Sequence, residues 1–253
     1  APGGPFDSEK ALPTEVRAAL DARFGLDRPL PQQYFKYLGG VLQGDLGPSL
    51  RFYGNRQVSE IIALSLPASL QLGAAALVFA LLLGVPLGAL AAAKQNTWLD
   101  TGVMFFAVAG MSLPAYLAAT LLILVFSLEL GWFPAALWEG PASAVLPAIT
   151  LGLRPMALIA RLTRAAVIEA LAADYIRTAR AKGLSPSVVL FKHALRNSLI
   201  PLVSLLGPLA AALLTGSFVV EVMFAIPGLG RYFVSAVIDR DYTMILGVTL
   251  VYG

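Results

Sequence analysis

Long apolar runs separated by short polar breaks dominate the chain from residue 61 onward. Residues 61–93 carry no charge, and a span needs about 20 apolar residues, so this run holds one span with tilt or a lead-in helix. Pro67 and Pro86 inside it are tolerable, because neighbouring helices and waters satisfy the freed carbonyls of a membrane helix. A tight polar turn at 94–100 (KQNTWLD) follows. Residues 101–128 form a second uncharged run broken by Pro114, 144 to about 162 a third interrupted by Arg154-Pro155, and 197–220 a fourth. Residues 221–242 read as a polar re-entry, and Thr243 opens a fifth run of 11 residues to Gly253. The pattern predicts an all-α polytopic membrane protein with five spans in this chain, the last cut short.

Residues 1–60 differ in kind. They hold seven basic and seven acidic side chains, which cancel, and prolines 2, 5, 13, 29, 31 and 48. Helices are expected from Leu12-Pro13-Thr14-Glu15 to about Arg23 and over 32–41, with a turn at 44–47. This reads as an extramembrane segment, either a small cap without chemistry or a binding element, ahead of a membrane domain over 61–253.

The longest polar interruption in the membrane domain is residues 169–198. Arg177, Arg180, Lys182, Lys192 and Arg196 stand there against only Glu169 and Asp174. Ile168, Leu171, Ala172, Tyr175, Ile176 and Ala179 recur at helical spacing. Gly183 suits a left-handed helix stop. Ser185-Pro186 suits a restart, with Ser185 as N-cap and Pro186 at the first helical position, and Val188, Phe191, Leu195 and Leu199 form the next apolar stripe. Two short helices joined at a glycine are predicted. They are a docking surface or an amphipathic surface element resting on headgroups.

Composition sharpens the class. The chain is 58% hydrophobic and 13% charged, where a soluble domain carries about 25% charged residues. With Cys 0, disulfides, thiolate metal sites and cysteine nucleophiles are excluded. The net charge of +3 matters only through its placement. Residues 154–198 carry eight basic and two acidic side chains, 129–143 two acidic and none basic, and 221–242 two basic and three acidic. Positive charge marks the cytoplasmic side. This puts 94–100 and 161–198 in the cytoplasm and the other loops, with 1–60, outside. Trp132, Phe133 and Trp138 fit an interfacial aromatic belt.

Most chemistry is missing. There is no phosphate-binding loop, and Gly228-Leu229-Gly230 lacks the context of a dinucleotide site. The single histidine, His193, lies in the basic stretch and reads as solvated rather than as a ligand or base. Ser112 in Gly110-Met111-Ser112-Leu113 has no base within reach for serine-protease chemistry, and Ser112-Pro114 reads as a helix bend lining the pathway. Proton- or sodium-coupled carriers place carboxylates inside spans, whereas here every Asp and Glu falls in a loop or at a span end. Arg154 is the one charge deep in an apolar run, at a cost of about 2.5 to 3.5 kcal/mol on insertion scales. It either lines a wet translocation path, where it would attract a peptide carboxylate, or snorkels and pairs structurally. The rival readings are an ion- or proton-coupled secondary transporter and, less well supported, an intramembrane enzyme.

DYIRTARAKGLS followed by HALRNSLIP resembles the signature loop of importer-type ABC transporter permeases, above all the B-type permeases of bacterial oligopeptide and dipeptide importers. APGGPFD, GMSLPAY, LGWFP, LPAITLGL, ARLTRAAVIEAL and EVMFAIPGLGRYFVSAVIDRDY extend the resemblance over nearly the whole chain. The general family pattern is Glu-Ala-Ala, three residues, Gly, nine residues and Ile-x-Leu-Pro. Its first block falls on Arg177, Thr178 and Ala179 and its last on His193, Ala194, Leu195 and Arg196. One Ala, the Gly and the Leu are kept, and Arg177 and Arg196 replace the Glu and the Pro. The resemblance implies a coupling helix seated on an ATP-hydrolysing subunit, with Arg177, Thr178, Ala179, Gly183 and Leu184 at the contact. It implies a second homologous permease, two cytoplasmic ATPases that bind ATP and Mg, an extracytoplasmic peptide-binding protein and alternating access. This chain would hold no cofactor and no metal, bind no nucleic acid and do no catalysis of its own. It would sit in the bacterial inner membrane with six spans in the full subunit, one of them ahead of the APGGP segment.

Overall fold

The computed structural model describes residues 14–50 and 56–253. Eleven helices are seen there: α1 (Thr14–Phe24), α2 (Leu30–Leu42), α3 (Val58–Ala93), α4 (Trp98–Ser112), α5 (Ala115–Glu129), α6 (Pro141–Ala172), α7 (Asp174–Ala181), α8 (Pro186–Leu214), α9 (Phe218–Met223), α10 (Leu229–Asp239) and α11 (Tyr242–Tyr252). Extended pairing among the described residues is limited to one isolated bridge between Pro48 and Gln57. The expected start of the first helix at Leu12-Pro13 and the APGGPFD segment lie outside the described residues. Within them the all-α fold is as the sequence predicts.

Three helices, α3, α6 and α8, are each long and apolar enough to cross a membrane. At 1.5 Å per residue, the 36 residues of α3 run about 54 Å, well beyond a hydrocarbon core of about 30 Å. The second predicted run is α4 and α5, bent by 109° at the break between them. Pro114 explains the break. The residue before a proline is driven out of the helical region, and Leu113 sits at φ −75°, ψ 120°. The fifth apolar helix, α11, has 11 residues.

Other boundaries shift. The third run continues past 162 to Ala172, because Arg164 and Glu169 ride on one helix that leaves the apolar zone without stopping. The expected re-entry at 221–242 is α9, a turn and α10. The helix expected to begin at 197 begins at Pro186. Two stretches are π-helical, Ile123–Glu129 in α5 and Val189–Ala194 in α8.

The chain divides into two compact units, one of 1–68 with 227–253 and the other of 69–226. In the first, Val58, Ile61 and Ile62 of α3 pack with Leu229 and Ala236 of α10 and Met244 and Val248 of α11, and Leu46 joins them. Asp241 is fully buried and caps α11, accepting from Met244 N at 3.1 Å. The Ser49 hydroxyl donates to its other oxygen, and Thr243 Oγ1 donates to the Pro48 carbonyl at 2.8 Å.

In the second unit, α3 and α6 pack backbone against backbone. A Cβ at Gly84 would lie 2.7 Å from the Met156 carbonyl oxygen, and one at Gly152 2.8 Å from that of Ala76. Small residues are the usual route to such approach in membrane helices, where lipid and side chain are equally apolar. Ala80, Ile159 and Leu202 close the core where α8 joins.

Candidate coupling surface and translocation face

The helix α6 ends at Ala173, whose ψ of 152° breaks the helical path. The next residue starts α7, eight residues long. Asp174 in its first turn and Arg180 in its last complement the helix dipole. Two residues seat α7: Ile176 and Ala179 are buried against Val189 and Ala194 of α8, with Ala170 and Leu171 of α6 at the margin. The rest faces outward. Tyr175, Arg177, Thr178, Arg180, Lys182, Gly183 and Leu184 are all exposed. Arg177 lies 3.4 Å from Asp174, but both side chains are largely solvated, and such pairs contribute about 0 to 1 kcal/mol.

Gly183 ends α7 at φ +78°. Its N–H donates to the Arg180 carbonyl at 2.9 Å, and Leu184 N–H donates to that of Ala179 at 3.4 Å. This pair of bonds satisfies the last carbonyls of a helix closed by a left-handed residue. No atom of the chain comes within 4 Å of where a Cβ on Gly183 would stand. The glycine is therefore required by backbone conformation and not by crowding inside this subunit. Ser185 and Pro186 hold the N-cap and first helical positions as the sequence predicts, but the Ser185 hydroxyl makes no capping bond.

The second helix of the predicted pair is not short, since it runs into the span α8. Its buried face also differs from the expected stripe. Val188 and Phe191 are exposed, while Val189, Ala194, Ser198 and Leu202 are buried. The π turn is the physical reason. It places one extra residue in the turn, so the inward face steps from 189 to 194 before resuming a step of four. The first stripe is split as well: Ile176 and Ala179 are buried, but Ala172 and Tyr175 are exposed, because the break at Ala173 rotates α7 away from the line of α6.

Nine residues before this break, Arg164 grips Asp100 at the start of α4. Arg164 Nε donates to Asp100 Oδ1 at 2.5 Å and Nη2 to Oδ2 at 2.7 Å. Asn96 N–H adds a bond of 3.0 Å to the carboxylate. Asp100 is 4% exposed. The expected polar turn is thus shorter, 94–97, and its aspartate is a buried structural anchor. Asp100, Glu221 and Asp241 all stand at helix ends, as the sequence places them, yet all three are buried. A carboxylate's place at a span end therefore does not mean exposure. Glu221 accepts from Ser69 Oγ at 2.8 Å.

Arg154 is exposed on α6, and no described residue bonds it. Arg161 lies two turns further along the same face, also exposed, with Nη1 3.6 Å from Met111 Sδ. Ser112 is exposed at the bend between α4 and α5, its hydroxyl turned back to the Val108 carbonyl at 2.9 Å. Arg161 thus reaches α4 one residue before Ser112, and Arg154 stands seven residues before Arg161 on α6. The seven-residue spacing of Arg154 and Arg161 is the sequence signal that puts both on one face of α6. His193 is half-buried on the π turn of α8. Among the described residues no group of His, Asp and Glu could hold a metal ion.

The arrangement is that of a membrane subunit of an importer-type ABC transporter. A chain of the MetNI methionine ABC transporter, solved in inward-facing conformations, shares the fold with TM-score 0.61 at 20% identity, over 76% of this chain and 90% of that one. The chain belongs to the family described as binding-protein-dependent transport system inner membrane component, whose model matches residues 84–253. It is 47% identical over 252 residues to the dipeptide transport system permease protein DppB of Bacillus subtilis, covering 100% of this chain and 82% of that protein. It is 44% identical over 255 residues to the oligopeptide transport system permease protein OppB of Salmonella typhimurium, covering 100% and 83%. The OppB of Escherichia coli is 42% identical over the same length. The chain is a multi-pass permease subunit, and family membership removes the ion-coupled carrier and the intramembrane enzyme.

Proposed function

We propose that this chain forms half of the translocation pathway of a bacterial ATP-driven importer for di- or oligopeptides. The relatives' names support the peptide substrate. The observation that carries the mechanism is α7: an eight-residue helix, broken from α6 at Ala173, stopped at Gly183 and offering a basic, exposed face on a two-residue apolar seat. Arg177, Thr178, Gly183 and Leu184 meet an ATPase subunit, together with Tyr175, Arg180 and Lys182. Ala179 supports the contact from beneath. ATP and Mg bind in the two ATPases and not in this chain. When the ATPases close, α7 moves with them, and its packing on α6 and α8 passes the motion to the spans. A second homologous permease supplies the other half of the path. An extracytoplasmic peptide-binding protein delivers substrate, and the basic loops face the cytoplasm. Arg154 and Ser112, with Arg161, line the pathway, where the unpaired guanidinium of Arg154 attracts a peptide carboxylate.

Purifying the full-length protein from its native membrane in mild detergent tests the assembly. Two ATPases and a second permease should accompany it, and a homo-oligomer without ATPase would overturn the reading. The pathway role is tested by Arg154→Ala, expected to lower uptake of peptides with a free carboxylate while leaving ATPase coupling intact. Unchanged uptake of every peptide would refute it.

A further inference from the structure

The helix α2 is inside out. Its side chains turned toward the protein are polar or small. Gln33 donates through Nε2 to the Leu26 and Arg28 carbonyls at 3.2 and 2.7 Å, Tyr37 is half-buried, and a Cβ on Gly40 would lie 2.7 Å from the Asp45 carbonyl oxygen. Its large apolar side chains point away. Leu30 is 79% exposed, Tyr34 59%, Phe35 70%, Leu38 37% and Leu42 89%. Residues 30, 34, 38 and 42 recur every four positions, which puts them on one helix face. A helix solvated by water places its apolar stripe on the core. One that does the reverse needs an apolar medium outside it.

We infer that α2 lies flat in the headgroup layer of the leaflet where α3 begins, with Leu30, Tyr34, Phe35, Leu38 and Leu42 embedded in lipid. Two observations favour lipid over a protein partner. The first is the tether. Leu42 ends α2, and Leu46 already packs against the cluster formed by residues of α3, α10 and α11, its Cδ1 3.4 Å from where a Cβ on Gly247 of α11 would stand. Pro48 and Ser49 are then pinned by Thr243 and Asp241 at the start of α11. Four residue steps span at most about 14 Å, and the turn at 43–45 folds back on Gly40 and Val41, shortening the reach. The end of α2 is therefore held beside the start of α3, which is long and apolar enough to cross a membrane, and beside the apolar helix α11. The second is charge. Lys36 is the only charged residue in α2, so its face offers no ionic complement to a protein surface. An aromatic pair stands on the apolar side instead, Tyr34 and Phe35, edge to face at 5.7 Å, as in helices that rest at a membrane boundary.

The chain has no cysteine, so single cysteines can be introduced directly at 32, 34, 35, 36, 38 and 42. The full-length subunit, assembled with its cognate partners in phosphatidylcholine vesicles, is spin-labelled at each site. Accessibility to oxygen and to a water-soluble nickel chelate is then measured. Labels at 34, 35, 38 and 42 should favour oxygen over the chelate severalfold, and labels at 32 and 36 the reverse. The pattern should be unchanged without the binding protein, and unchanged when anionic phosphatidylglycerol is added, since one lysine contributes little attraction. Chelate access along the apolar strip would overturn the proposal in favour of water. Shielding from both reagents would overturn it in favour of a protein partner, and shielding only when the binding protein is present would name that partner. Phe35→Glu guards against label artefacts: it should raise chelate access at 38 while the assembly remains intact, and no change would also refute the lipid seat.

Discussion

The helices α2 and α7 are both amphipathic and both short, and they are mounted in opposite senses. On α7 the apolar residues Ile176 and Ala179 turn inward and the basic ones face out. On α2 the polar Gln33 and the half-buried Tyr37 turn inward and the leucines and aromatics face out. The hydrophobic effect has the same sign in both, so the difference lies in the solvent each helix meets. A basic outward face suits water and a protein groove, whereas an apolar outward face suits lipid. Amphipathicity read from a sequence gives the two faces, and only the anchoring residues say which face is which.

The strongest way to break this contrast is at the stop of α7. Gly183→Val forces a β-branched residue to φ +78°, where such residues are genuine outliers. It should abolish peptide uptake while the subunit remains inserted, so normal uptake in reconstituted vesicles would refute the role given to α7. Ile176→Asp is next. It places a carboxylate in a fully buried seat with no partner to offset its desolvation, and it should cut uptake at least tenfold. The matching change on the outward face of α2, Leu38→Asp, should leave uptake within about threefold. Equal losses would erase the inside–outside distinction.

A third test concerns what holds α4 to α6. Arg164→Ala leaves the Asp100 carboxylate buried and unpaired, which costs about 3 to 5 kcal/mol for a buried pair. The midpoint of thermal unfolding in detergent should fall sharply, and Asp100→Ala with Arg164→Ala should recover much of it. Smallest is Tyr37→Phe. The Tyr37 hydroxyl is buried with no hydrogen-bond partner, and burial raises its pKa above the ordinary phenol value. Removing an unsatisfied polar group spares its desolvation penalty, so this variant should be neutral or stabilising by about 1 kcal/mol. Clear destabilisation would show that the hydroxyl has a use.

What the sequence made legible follows from what is local. Uncharged runs give helices, a glycine after a basic turn gives a left-handed stop, and Pro114 gives a bend. The signature loop, with six further segments in order along the chain, carried the family resemblance. What stayed hidden depends on distance or on phase. Asp100 and Arg164 pair across 64 positions, and neither residue's neighbours announce the other. The π turn at 189–194 has no local residue signature, yet it moves every later inward position and so spoiled the stripe drawn through Val188 and Phe191. α6 outran its apolar stretch because helix continuation depends on backbone bonds and not on hydropathy. Motif alignment puts Ala179 in the coupling contact, and its burial beside Ile176 depends on α8, which no local pattern announces.

The Asp100–Arg164 pair also constrains how the protein is made. Ribosomes add residues from the N-terminus at about 5 to 20 per second, so the carboxylate of α4 emerges roughly 3 to 13 s before the guanidinium 64 positions later that will neutralise it. Throughout that interval the start of α4 has no permanent ionic partner and must stay near water or headgroups. The ion pair that ties α4 to α6 can form only once α6 has been made. A chain ending before residue 164 therefore lacks the guanidinium that holds Asp100 in the folded subunit.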